Sequence, residues 1–60
     1  SVILAHNHPS GSLEPSREDL DLTKRLYQAG SLLGINVLDH IILTPNGKYL
    51  SFIEAGIPLA

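Results

Sequence analysis

The stretch Ser1-Val2-Ile3-Leu4-Ala5-His6-Asn7-His8 constrains the rest of the chain more than any other. Val2 to Ala5 is apolar on both parities. Alternate residues of a strand point to opposite faces, so this run predicts a strand covered on both sides. Pro9, Ser10, Gly11 and Ser12 then stop it, because proline cannot donate to a central ladder and glycine with serine marks a loop. If the strand continues to its end, His6 and His8 share one face at roughly 6.6 Å of rise. Two imidazoles so placed can share one ion.

The loop feeds a helix. Ser16 is a good N-cap and Asp19 stands at the third helical position, a capping-box-like pair, and the helix is expected over Arg17–Leu33. Gly34 suits the left-handed position that closes a helix. At 100° per residue, Leu22, Leu26, Ala29 and Leu33 fall within a sector of about 60°, which predicts the buried stripe. Asp19 lies beside that stripe with its carboxylate turned toward the sheet, and a charge so placed needs a partner. Gly30 weakens the last turn by about 1 kcal/mol relative to alanine, which close packing against the sheet would explain.

Ile35 to Leu43 is rich in β-branched residues and follows at once, so strand, helix and strand form a βαβ unit with an expected right-handed crossover. Thr44-Pro45-Asn46-Gly47-Lys48 is a turn, with Asn46-Gly47 the favoured type I′ pair. Tyr49 to Ile53 is expected to return as an antiparallel strand, and Glu54 to Ala60 reads as a tail. The whole predicts an α/β fold with a mixed sheet, in the order β-α-β-β.

His6 and His8 at a strand end and Asp19 in the first turn of the next helix make an N/N/O donor set with a fourth position open. That is the catalytic kind of zinc site, in which the pKa of water falls toward about 7. With no cysteine in the chain, a closed thiolate site is excluded. Other chemistries fit less well. There is no H-E-x-x-H helix, and the deaminase pattern fails because residue 8 is histidine and cysteine is absent. No G-x-S-x-G elbow is present to carry a serine nucleophile. The tripeptide His6-Asn7-His8 is not an HNH nuclease signature, since that name records dispersed positions.

The spacing H-x-H-x7-S-x2-D, filled by His6, His8, Ser16 and Asp19, resembles the JAMM metal motif of the MPN+ metalloprotease and deubiquitinase superfamily. His6-Asn7-His8-Pro9-Ser10-Gly11, Pro15-Ser16-Arg17-Glu18-Asp19 and Leu38-Asp39-His40-Ile41-Ile42 are similar more specifically to RadC-type proteins, bacterial proteins traditionally labelled DNA repair proteins. The resemblance covers nearly the whole chain. It implies an MPN/JAMM-like (cytidine-deaminase-like) core, zinc as the cofactor held by His6, His8 and Asp19, and Ser16 as the residue that steadies the oxyanion. It also implies hydrolysis of a peptide or isopeptide bond by metal-activated water. The superfamily uses a glutamate on an earlier segment as general base, and neither Glu14, Glu18 nor Glu54 stands at the matching place. Residues 1–60 are therefore expected to be the C-terminal part of such a domain.

Length agrees with that expectation, since a chain of 60 residues buries only about 60% of the surface it exposes when unfolded. The hydrophobic fraction is 43% with no apolar run long enough to span a membrane and no signal-peptide pattern, and the absence of cysteine fits a reducing compartment, so the cytoplasm is expected. Net charge is −2 and the cations are scattered, which gives no basic stripe for direct contact with DNA. A peptide or protein substrate, and self-association through an exposed strand edge, are the partners the sequence allows.

Each residue also has a plainer role. His6 and His8 could be hydrogen-bonded strand histidines, and Ser16 with Asp19 caps the helix whether or not a metal is held. Asp39 and His40 are neighbours in a strand, face opposite ways and cannot form one acid-histidine pair. His40 is expected to bond to a neighbouring strand or loop. Three functions remain open: a zinc hydrolase, a non-catalytic metal-binding docking module in DNA repair or mobile-element biology, and an inert or oligomerising remnant.

Overall fold

The computed structural model describes residues 1–60. Strand β1 (Val2–Asn7) leads into helix α1 (Arg17–Leu33), which returns through β2 (Val37–Leu43) to a short β3 (Tyr49–Ser51). The sheet order is β1-β2-β3, with β1 parallel to β2 and β3 antiparallel to it. A parallel pair joined by one helix, plus a hairpin, is the mixed α/β arrangement expected from the sequence. In the register Leu4 lies opposite His40 and His6 opposite Ile42. A shift between Val2 and Ile3, which leaves Leu38 without a partner on β1, comes before that alignment.

The helix ends follow from their residues. Ser16 has an extended backbone (φ −74°, ψ 166°), its hydroxyl oxygen accepts the Asp19 N–H at 3.1 Å, and Asp19 Oδ2 accepts the Ser16 N–H at 2.8 Å. This reciprocal capping box satisfies two otherwise orphaned donors. Gly34 closes the helix with φ 74°. Gly30 answers a separate need: a Cβ there would lie 2.7 Å from the Ile35 carbonyl oxygen, and the Ile35 N–H donates to the Gly30 carbonyl at 2.7 Å. The chain doubles back on the helix where only glycine leaves room.

The core consists of Val37, Ile42, Phe52 and Leu59, with Leu4, Leu20, Leu50 and Ile57 packed against it. Four details differ from the expectation. The residues of α1 that are buried are Thr23 and Gly30, seven apart on one face, whereas Leu22, Leu26, Ala29 and Leu33 are exposed, Leu33 by 75%. At 100° per residue the buried line is turned about 80° from the apolar sector. The cause is polar: Asp19 and Thr23 bond to groups on the strands and bring their own side of the helix onto β2, which leaves the leucine stripe above an open apolar groove of about 240 Å³ along Val2, Leu4 and Val37.

The second difference is at the hairpin. A type I′ turn needs positive φ at both central residues. Gly47 has it (φ 79°) but Asn46 does not, and the Gly47 N–H donates to the Thr44 carbonyl at 3.1 Å. Pro45 and Asn46 therefore occupy the centre of an ordinary turn followed by a left-handed glycine. The third lies beyond it, and the fourth is on the uncovered face of the sheet. β3 stops at Ser51, and residues 52–56 turn back so that the expected tail places Ile57 and Leu59 against the core. Only one face of the sheet is covered by a helix, and Ile3 on the other face is 60% exposed.

Candidate metal centre

Strand alternation delivers His6 and His8 to the helix side of β1 at its C-terminal end, and the capping box fixes the Asp19 carboxylate one loop away. The three side chains meet. His6 Nε2 lies 2.8 Å from His8 Nε2 and 3.2 Å from Asp19 Oδ1, and His8 Nε2 lies 2.9 Å from Asp19 Oδ2. All three are half-buried, and their candidate ligand atoms fall within 4.8 Å of one another. Asp19 uses one carboxylate for two purposes, since Oδ2 also accepts the Ser16 N–H.

The proton on His8 follows from its other nitrogen. Nδ1 lies 2.8 Å from the Ser12 carbonyl oxygen, which can only accept, so Nδ1 carries the hydrogen and the Nε2 of neutral His8 presents a lone pair. That lone pair faces a carboxylate oxygen, a second acceptor. Two acceptors at hydrogen-bond distance attract only when a cation or a proton lies between them. The chemistry of the donor set, two imidazole nitrogens and one carboxylate oxygen, suits a divalent metal of the zinc type.

A second layer of side chains backs the first. His6 Nδ1 contacts His40 Nε2 at 2.7 Å, His40 Nδ1 contacts Thr23 Oγ1 at 2.5 Å, and Thr23 Oγ1 donates to the Asp19 carbonyl at 2.8 Å. Phe52 stacks on the His40 ring at 4.7 Å between centroids. No buried side-chain nitrogen or oxygen is left without a partner. Burial pushes the Asp19 carboxyl up, but the Ser16 N–H and hydroxyl, the His6 charge and the His8 contact together outweigh it and hold it below the ordinary carboxylate range. For His40, burial and then the neighbouring His6 charge push the imidazole down, against the opposite pull of Asp19 and Asp39.

Ser16 stands exposed at the N-cap, its oxygen accepting the Asp19 N–H and its hydroxyl beside the Asp19 carboxylate. Asp39 lies on the opposite sheet face from the cluster and accepts from Ser51 Oγ at 2.5 Å and from the backbone N–H groups of His40 and Ile53. It pins the turn after β3. None of Glu14, Glu18 and Glu54 makes a side-chain hydrogen bond to the cluster; Glu14 and Glu54 each donate a backbone N–H to a serine hydroxyl. Thr23 and His40 are the members of the site that sequence reasoning did not assign to it. Thr23 follows Asp19 by one helical turn, and His40 has the same strand parity as the buried Ile42; those two spacings were the available signal.

A family model described as the RadC-like JAB domain matches residues 1–57. The chain belongs to the RadC-like JAB domain family. It is similar to UPF0758 proteins of Geotalea uraniireducens, 58% identical over 95% of the chain, and of Geobacter sulfurreducens, 56% identical over the same share. A UPF0758 protein of Symbiobacterium thermophilum is also 58% identical. The chain spans about a quarter of the length of these relatives. The family membership and the three-stranded mixed sheet agree with the RadC-type resemblance of the motifs, and the His6–His8–Asp19 group is compatible with a metal ion. No helix is long and apolar enough to cross a membrane.

Proposed function

We propose that this chain is the metal-binding part of a zinc-dependent hydrolase that cleaves a peptide or isopeptide bond. The observation that supports this reading is the convergence of His6 Nε2, His8 Nε2 and an Asp19 carboxylate within hydrogen-bond distance, with the His8 lone pair directed at an acceptor, the carboxylate. A zinc ion held by these three residues would polarise a carbonyl and activate water. The chain's own residues do the rest. His8 is oriented through the Ser12 carbonyl, Asp19 is fixed by the helix cap, and the Ser16 hydroxyl beside Asp19 is the donor assigned to a developing oxyanion. The general base is assigned to a glutamate outside these 60 residues. A cytoplasmic bacterial protein with a peptide or protein substrate, associated with DNA repair, is the setting this reading carries.

The test is zinc stoichiometry by elemental analysis of the full-length protein beside its Asp19→Asn variant, followed by assay of amide-bond cleavage. One equivalent of zinc lost in the variant, together with all activity, is the expected result. Activity retained after the metal is stripped would overturn the reading.

A second reading is favoured by one observation, that the Ser16 oxygen and the Asp19 carboxylate are both engaged in the helix cap. On that reading the site is a non-catalytic docking module whose metal serves stability. Full zinc occupancy with no cleavage of peptide or isopeptide substrates would select it, and unchanged survival of replication stress in cells carrying Asp19→Ala would separate it from metal-dependent repair.

A further inference from the structure

The metal centre described above has an ambiguity built into it. If His6 Nε2 carries a hydrogen, that hydrogen satisfies His8 Nε2 and Asp19 and the cluster is a closed hydrogen-bonded knot. If it is bare, three acceptors face one another and the cluster is a cation site. The state of His6 is decided by its other nitrogen, Nδ1, which lies 2.7 Å from His40 Nε2.

The chain of contacts behind His6 can be followed atom by atom. Thr23 Oγ1 has one hydrogen and two neighbours, the Asp19 carbonyl at 2.8 Å and His40 Nδ1 at 2.5 Å. The carbonyl can only accept, so it takes the hydroxyl hydrogen and His40 Nδ1 must be the donor to Oγ1. His40 is 2% exposed and no carboxylate hydrogen-bonds to its ring, so the ring carries one hydrogen and not two, and its Nε2 presents a lone pair. His6 Nδ1 must then donate to that lone pair, which leaves His6 Nε2 bare toward His8 and Asp19.

We propose that Thr23 and His40 are positioning residues which hold His6 in its Nδ1–H tautomer and so keep its Nε2 free for a metal. Thr23 is fully buried on the helix line that faces β2, and His40 is held flat by Phe52, which donates its own backbone N–H to the His40 carbonyl at 3.0 Å. Neither side chain touches the candidate coordination position. The polarity of the relay runs in one direction only because it starts at a helix carbonyl, a group with no hydrogen to give. A threonine hydroxyl is thus the element that distinguishes a primed site from a self-satisfied one.

This inference rests on the metal reading, and the experiment keeps the two separate. Full-length protein with 15N-labelled histidine, freed of metal, is examined by long-range 1H–15N correlation at mildly alkaline pH, and zinc affinity is measured in parallel by titration against a chelator. Wild type and Thr23→Ser are expected to show His6 with hydrogen on Nδ1. In Thr23→Val the hydrogen-bond acceptor for His40 is lost, His40 can reverse its tautomer, and His6 is expected to gain hydrogen at Nε2 with a fall in zinc affinity of about 10–100-fold. Hydrogen on Nε2 of His6 in wild type, or an unchanged His6 tautomer and zinc affinity in Thr23→Val, would overturn the proposal. Wild type with the Nδ1–H form but no affinity for zinc would support the relay and overturn the metal reading alone.

Discussion

The two ends of the interface between α1 and the sheet are built on opposite principles. At the end where β1 runs out, Asp19 and Thr23 meet His6, His8 and His40 through short, directional polar contacts. At the other end Leu26, Ala29 and Leu33 face Val2, Leu4 and Ile35 across an open groove, and no side chain fills it. Hydrogen bonds are directional and short, so a few residues at fixed spacing can complete them. Hydrophobic burial needs area from many residues, and a chain of this length cannot supply it on every face. The polar end is closed by chemistry carried on one βαβ unit, while the apolar end is left to whatever covers it.

Substitutions at the two ends should behave differently in urea unfolding of the full-length protein. Gly30→Ala, at the close approach between helix and returning chain, is expected to have the largest effect. The Cβ would meet the Ile35 carbonyl oxygen at 2.7 Å, and displacing backbone costs about 1–3 kcal/mol, which exceeds the roughly 1 kcal/mol that alanine gains in helix propensity. A net loss of up to about 2 kcal/mol follows. A stabilised Gly30→Ala would show that the apolar end can lift from the sheet without penalty.

Ser16→Ala comes next, with an expected loss of about 1 kcal/mol from the missing cap. Zinc stoichiometry should not change, because the backbone N–H that Asp19 Oδ2 accepts is still present. Loss of zinc in this variant would mean that the hydroxyl, and not the backbone, fixes the carboxylate.

Leu33→Ala should be the mildest. With Leu33 75% exposed, the change is expected to stay within about 0.5 kcal/mol. A loss of about 2–5 kcal/mol, the range for a buried leucine, would show that the groove is filled in the full-length protein and would remove the contrast drawn above.

The same contrast explains which parts of the molecule were legible in the sequence. The helix bounds, its N-cap at Ser16 and its left-handed close at Gly34 are local decisions, and all three are read from residues within one turn of each end. The meeting of His6, His8 and Asp19 was legible too, because strand parity and the capping position fix it. The rotation of α1 was not. The leucine stripe is the obvious face on a helical projection, but Asp19 and Thr23 bind across to the strands and override it by about 80°. His40 was recognised as a residue needing a partner, yet its partners lie 17 and 34 positions away on other elements, where spacing carries no signal. The return of Leu59 into the core has the same cause: a turn after Ser51 tied back to Asp39, a residue 12 and 14 positions from its partners Ser51 and Ile53.

The carboxylate of Asp19 closes the first turn of α1 and also faces the two histidines. Starting a helix is its slow and unfavourable step, since several residues are fixed before the first bond repays them. An ion bound at Asp19 therefore acts on that step, and chelation should register first as faster amide exchange at Asp19 and Leu20, whose N–H groups bond to Ser16. On the proposed metal reading, holding an ion and beginning the helix would be one event in this chain.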